Sequence, residues 1–252
     1  MIQNSFAEPE RKAIRIACVE YPPFTLKDGT GASADMLNEL FDKMGYNISI
    51  EVYPLGRVIS MVNKGEIEAA RLFPQTDPKV TVAIPIQYSS AVFVYKKSMF
   101  PSGINFKTLS DLQQYRIGAL SNSKWTVKLL EEGAGLQLDF APANDLNLKK
   151  IYLERIHLLP LIHITALSLI ESVFPNKQEE FGLTKSFNVT PVCLIFSTKY
   201  PGNHKIINDV KKHLTKIDMH DILQKHFGKY FAGGIIPPYM VTGNNFYDVG
   251  SP

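Results

Sequence analysis

The chain has 252 residues, of which 45% are hydrophobic and 20% charged, with a formal net charge of +3. This is the composition of a folded globular chain rather than a disordered one, and so small a positive balance, with no Lys/Arg run, argues against a nucleic-acid partner. No apolar run approaches the roughly 18 residues that span a bilayer, and the polar start Met1-Ile2-Gln3-Asn4-Ser5 lacks a secretory apolar core, so it reads as a trimmed or mature terminus.

Residues 1–12 are polar and expected to be loosely held. Ile14–Phe24 follows, and its first half alternates with β-branched residues, as a buried strand does. Pro22 and Pro23 then stop it, because neither can donate to a ladder and each fixes its own φ. The strand therefore runs to the carboxyl edge of a sheet and presents Tyr21 and Phe24 on a stiff loop. Ligands of open α/β sheets sit at that edge. Tyr21 either lines a cleft there or caps the core.

Turn residues Asp28, Gly29 and Gly31 lead into a helix expected over Ala32–Met44. Met36, Leu37, Leu40, Phe41 and Met44 form its apolar stripe, and Gly45 its stop. Asn47–Tyr53 reads as a second strand, Leu55–Lys64 as a short helix ended by Gly65, and Ile67–Phe73 as a third strand. This β-α-β-α-β order implies parallel strands joined by crossover helices. The loop Pro74–Lys79 leaves the third strand, and Tyr88–Tyr95 is extended and apolar.

A second block repeats the rhythm. Leu109–Leu112 opens it. A strand is expected at Tyr115–Leu120, an N-capped helix near Lys124–Glu132, a strand at Leu136–Phe140 and a helix at Asp145–Leu153. An extended run at Ile156–Leu161 and a helix at His163–Phe174 complete it. Val189–Ser197 is extended, and helices are expected at His204–Ile217 and Met219–Phe227. Residues 232–252 show no period and read as irregular. Cys18 and Cys193 both lie in apolar runs, which favours buried free thiols over a disulfide.

Several landmarks, in order, resemble one family. They are Tyr21-Pro22-Pro23-Phe24, the helix through Asp35-Met36-Leu37, and Pro54…Arg57 with Val62…Gly65-Glu66-Ile67-Glu68-Ala69. Leu109-Ser110-Asp111-Leu112…Ile117-Gly118…Ser123 and the closing Leu223…Lys229-Tyr230-Phe231 follow. From Ile14 to Phe231 the chain is similar to type II periplasmic solute-binding proteins. The similar branch binds polar amino acids, the bacterial extracellular solute-binding proteins of family 3. The resemblance implies an α/β fold of two lobes, each a mostly parallel sheet flanked by helices, with two crossing strands. The first lobe would be 13–88 plus 196–231, the second 95–188, the hinge strands 89–94 and 189–195, and 232–252 an irregular tail. Ligand would be trapped between the lobes by hinge closure.

The resemblance also points to site residues. Tyr21 takes the place of an aromatic that packs on the ligand, with Phe24 beside it. Thr76 matches a threonine after the third strand. Lys79 stands where the family has an arginine that clasps the ligand's carboxylate, and a lysine is a point charge rather than a planar fork. Arg71, inside the third strand, compensates or else snorkels at the sheet edge, since a lone buried charge is costly. Arg57 opens a short helix near the same edge, as a ligand contact or as a solvated first-turn cation. Ser121, Asn122 and Ser123 occupy the loop whose hydroxyls and N–H groups accept the carboxylate in the family, though Ser123 also suits plain capping. Near residue 162 the family has an aspartate for the ligand's ammonium, and this chain has Leu161-Ile162-His163-Ile164. His163 either donates to an anionic ligand or is a core histidine.

Catalytic motifs are missing. The sequence has no Gly-x-Ser-x-Gly elbow and no phosphate loop. No cofactor and no metal are expected. The resemblance implies a monomeric, non-catalytic, extracytoplasmic (periplasmic) protein that delivers a small polar solute, anionic or zwitterionic, to the membrane permease of an ABC importer. Two alternatives share the fold. One is the ligand-sensing domain of a receptor. The other is a dehydratase-like enzyme, for which Glu20 beside Tyr21 would be the acid or base.

Overall fold

A computed structural model describes residues 13–121 and 135–242. The chain divides into two compact units, 1–87 with 191–229 and 88–190 with 230–252. The expected helix near Lys124–Glu132 lies outside the described residues.

The first unit is built on β1 (Ala13–Cys18), flanked by β2 (Asn47–Val52) and β3 (Ala69–Leu72), both parallel to it. The crossover helices α1 (Ala32–Lys43) and α2 (Leu55–Lys64) connect these strands, as parallel neighbours require. In β1, Ile14, Ile16, Ala17 and Cys18 are all buried, because a central strand covered on both faces has no solvent side. The stripe Met36, Leu37, Leu40 and Phe41 of α1 is fully buried. Val58, Met61 and Val62 of α2 pack with Ala17, Ala70, Leu72, Cys193 and Ile195 on the other face of the sheet.

The loop after β1 is tied to the start of α1. Tyr21 N–H donates to Thr25 O (2.8 Å), and the first helical N–H groups, of Ala32 and Ser33, donate to Pro23 O (3.2 Å) and Phe24 O (2.8 Å). A helix start leaves such donors without intrahelical partners, and the loop supplies them. Gly31 sits at φ 120°, with room for no side chain: a Cβ there would lie 2.7 Å from Phe24 O.

Two long strands, β4 (Thr81–Lys96) and β9 (Phe187–Ser197), begin in one unit and end in the other. In the first unit β9 runs antiparallel to β3, with Arg71 opposite Leu194. Helices α5 (Asn203–Leu214) and α6 (Met219–Phe227) complete that unit. Glu39 of α1 receives Lys225 Nζ at 2.7 Å and His226 Nε2 at 2.8 Å from α6.

The second unit holds the parallel pair β5 (Arg116–Leu120) and β6 (Gln137–Ala141), then α3 (Asn144–Tyr152), β7 (Leu159–Ile162), α4 (His163–Val173) and β8 (Phe181–Leu183). β7 and β8 pair antiparallel with β4. The period-2 alternation of β4 divides two cores. Val92 and Val94 meet Leu148, Ile151 and Leu159 on one face, while Phe93 and Tyr95 meet Phe106, Ile117 and Leu158 on the other. A short 3-10 turn at Ala232–Gly234 and helix α7 (Tyr239–Thr242) follow Phe231, with Tyr239 and Met240 buried.

Several elements differ from the sequence reading, among them the run from 232 expected to be irregular, where Ala232–Gly234 forms a 3-10 turn and Tyr239–Thr242 a helix. β4 starts at Thr81 rather than Tyr88, because the strand runs on through Pro85, whose position is exposed. β3 is shorter than the apolar run that contains it. Val189–Ser197 gains Phe187 and Asn188 at its start. Both cysteines are buried and free. Cys193 shares the α2-side core with Ala17, so Cys18, the next residue along β1, points to the other face of the sheet.

Candidate functional site

Tyr21 and Phe24 leave the β1 edge together and diverge. Tyr21 keeps 41% of its surface exposed, while Phe24 is 3% exposed. Their rings stack with centroids 5.7 Å apart, and Phe24 packs further against Phe227 of α6 at 5.9 Å.

Arg71 lies beneath this pair. Its strand neighbours Ala70 and Leu72 face the α2 core, so alternation turns Arg71 to the opposite face. Its guanidinium carbon stands 5.6 Å from the Phe24 ring centre. The residue is half-buried, and its Nε is buried without a hydrogen-bond acceptor. No carboxylate among the described residues forms an ion pair with it. Burial pulls its pKa down to about 10, a shift opposed only by nearby Cys18. Burial in turn pushes the Cys18 thiol up to about 11 despite Arg71, which favours the neutral thiol at neutral pH.

The remaining first-unit candidates sit on the surface. Arg57, exposed at the start of α2, lies 4.6 Å over the Tyr53 ring, whose hydroxyl donates to Glu51 at 2.8 Å. Thr76 Oγ1 is 3.1 Å from Thr81 Oγ1, which donates to Asp77 O at 2.7 Å. Lys79 is exposed, and its backbone N–H donates to Asp77 Oδ1 at 2.9 Å. These bonds fold the loop onto itself, and Asp77 N–H ties it to Asn63 Oδ1 of α2 at 3.2 Å.

In the second unit Ser121 directly follows β5, with its N–H on Ala141 O at 2.8 Å. Asn122 and Ser123 lie outside the described residues. His163 opens α4, with Nδ1 3.0 Å from the Tyr239 hydroxyl and its ring edge-on to Phe231 at 5.1 Å. Burial lowers its pKa to about 4, so the imidazole is neutral at physiological pH. The structure thus brings Tyr21, Phe24 and Arg71 together in the first unit, and in the second unit packs His163 with Tyr239 and Phe231. Sequence reasoning missed Tyr239, whose only signal was the apolar Ile235-Ile236 ahead of two prolines.

Among the described residues, one cluster has ligand atoms close enough for a metal: Asp218, His220 and Asp221, all exposed. Asp218 there serves as the N-cap of α6, accepting from His220 N–H at 2.8 Å. No helix among the described residues is long and apolar enough to cross a membrane.

The family model for bacterial extracellular solute-binding proteins, family 3, matches residues 14–233. The chain belongs to that family. Solved structures agree on the fold, two lobes of the periplasmic-binding-protein type. An ancestral arginine-binding protein bound to arginine is 17% identical, with a TM-score of 0.61 over 88% of this chain and 99% of that one. The L-cystine solute receptor of Neisseria gonorrhoeae, in an unliganded open conformation, is 18% identical, with a TM-score of 0.65 over 88% and 93%. The BvgS VFT2 domain of Bordetella pertussis is 14% identical, with a TM-score of 0.65 over 87% and 93%. No curated protein sequence matches the chain. Family 3 proteins bind solutes. The family match thus makes this a solute-binding protein.

Proposed function

We propose that this family 3 protein captures a small polar solute, anionic or zwitterionic, outside the cytoplasm and delivers it to the permease of an ABC importer. The observation that carries the reading is Arg71: a half-buried guanidinium, roofed by Phe24 beside exposed Tyr21, with no acidic partner among the described residues. A permanently charged group is costly to desolvate alone, and an incoming carboxylate would offset that cost with a bidentate pair. Tyr21 would then offer its ring to the ligand's body, with Arg57 at the start of α2 and Thr76 and Lys79 from the loop after β3 adding polar contacts.

A thermal-shift screen of the purified protein against amino acids, organic acids and short peptides tests this. A ligand specific for the native state raises the melting temperature. The expected hits are carboxylates, and Arg71→Ala should weaken their binding by about 2–5 kcal/mol. Unchanged affinity in that variant would remove Arg71 from the site. Transport is tested separately: the loaded protein should stimulate the ATPase of a reconstituted importer. Loss of signalling, rather than of uptake, on deleting the gene would favour a receptor's sensing domain.

A further inference from the structure

The buried and half-buried acids among the described residues are already committed. Among the described residues six carboxylates are buried or half-buried: Glu39, Glu51, Glu68, Asp139, Asp145 and Asp209. Glu39, Glu68, Asp139 and Asp145 are held in ion pairs with Lys or Arg side chains. Glu51 and Asp209 accept from tyrosine hydroxyls at 2.8 and 2.5 Å. Every other described carboxylate is exposed to water. The nearest in sequence to the Tyr21 loop, Glu20, is among these.

An α-amino acid brings an ammonium along with its carboxylate. Inside a site that excludes water, that ammonium needs an anion or several acceptors. Beside Arg71 it would meet a like charge instead. The cation without a partner and the partnered acids together favour one kind of solute.

We propose that the solute is a small carboxylic acid with no ammonium group, anchored by its carboxylate on Arg71, and that the amino acid of the same skeleton is discriminated against. This rests on the reading of Arg71 as the anchor.

The test uses matched pairs: 3-phenylpropionate with phenylalanine, 4-methylpentanoate with leucine, and glutarate with glutamate. Each is titrated calorimetrically into the native protein, Arg71→Met and Glu20→Gln, with melting curves confirming that both variants fold. In at least one pair the acid is expected to bind about tenfold or more tightly than its amino acid, to lose that affinity in Arg71→Met and to keep it in Glu20→Gln. Amino acids binding as tightly as the acids, with affinity lost in Arg71→Met, would overturn the inference and leave the anchor standing. The same would follow if tight amino-acid binding were lost in Glu20→Gln, which would make Glu20 the ammonium's partner. Binding indifferent to Arg71→Met would overturn the anchor and the inference with it, and binding of none of the probes would overturn the inference.

Discussion

The guanidinium carbon of Arg71 lies 5.6 Å from the centre of the Phe24 ring, and that ring stacks in turn on Tyr21. The sheet thus carries a positive charge to the edge where the β1 loop turns, with an aromatic cover and no paired acid among the described residues. A cation–π contact returns about 0.5–2 kcal/mol, less than the several kcal/mol of removing a charge from water. The ligand-free protein holds Arg71 at a net cost.

That cost is measurable. Arg71→Met keeps most of the stem's volume and removes the charge. Without ligand it should raise unfolding free energy by about 1–3 kcal/mol in urea while abolishing ligand-induced stabilisation. A variant both less stable and still responsive to ligand would contradict the site.

His163 sets a pH dependence. Its folded-state pKa is about 4, against an ordinary 6.5. Between those values the unfolded chain takes up a proton that the folded one refuses, so stability falls as the pH drops from 6.5 towards 4. Between pH 7 and pH 4.5 the native protein should lose about 2 kcal/mol through this group. His163→Gln should flatten that part of the profile, read from urea midpoints at the two pH values. Glu39 acts in a lower window. Its pKa is held down to about 2 chiefly by Lys225 and His226, so its contribution is lost only as the pH falls from 4.5 towards 2.

Gly182 is a packing constraint. A Cβ at this position would stand 2.2 Å from Tyr95 Cζ, and Tyr95 is only 8% exposed. Gly182→Ala should cost about 1–3 kcal/mol. The double variant Gly182→Ala/Tyr95→Leu should lose less than the two single losses combined, because the second change makes room for the first.

Two buried amides should respond in opposite directions. Asn203 Nδ2 donates to Glu68 O at 2.7 Å and Ser197 O at 2.8 Å, so Asn203→Ala orphans buried carbonyls and should cost about 1–3 kcal/mol. Gln87 is 1% exposed and neither side-chain polar atom has a partner. Gln87→Met should be stabilising by about 1 kcal/mol or more. Denaturant titration checks both.

The fold was legible because its signals are local. The α1 stripe, the Gly65 stop and the strand run of β1 each follow from spacing within a dozen residues, and Met219–Phe227 is helical over the expected span. The start of β4 was not, because Pro85 interrupts the run ahead of Tyr88, and only the sheet shows residues 81–87 in a strand. Tyr21 and Arg71 were legible as candidates, since a charge in an apolar strand and an aromatic before two prolines stand out. That Phe24 turns inward to cover Arg71 was not, because the contact joins residues 47 positions apart. Likewise the sequence leaves His163 open between a ligand donor and a core histidine, and its partner Tyr239 arrives only when the chain's last described turn packs against α4.

The central claim is that a carboxylate completes Arg71. A structure determined with the best-stabilising acid from the screen tests it most directly. The account predicts a carboxylate oxygen within about 3.2 Å of the Arg71 guanidinium, with the ligand's body against Tyr21. A bound acid lying elsewhere, with Arg71 still without an anion under Phe24, would contradict it.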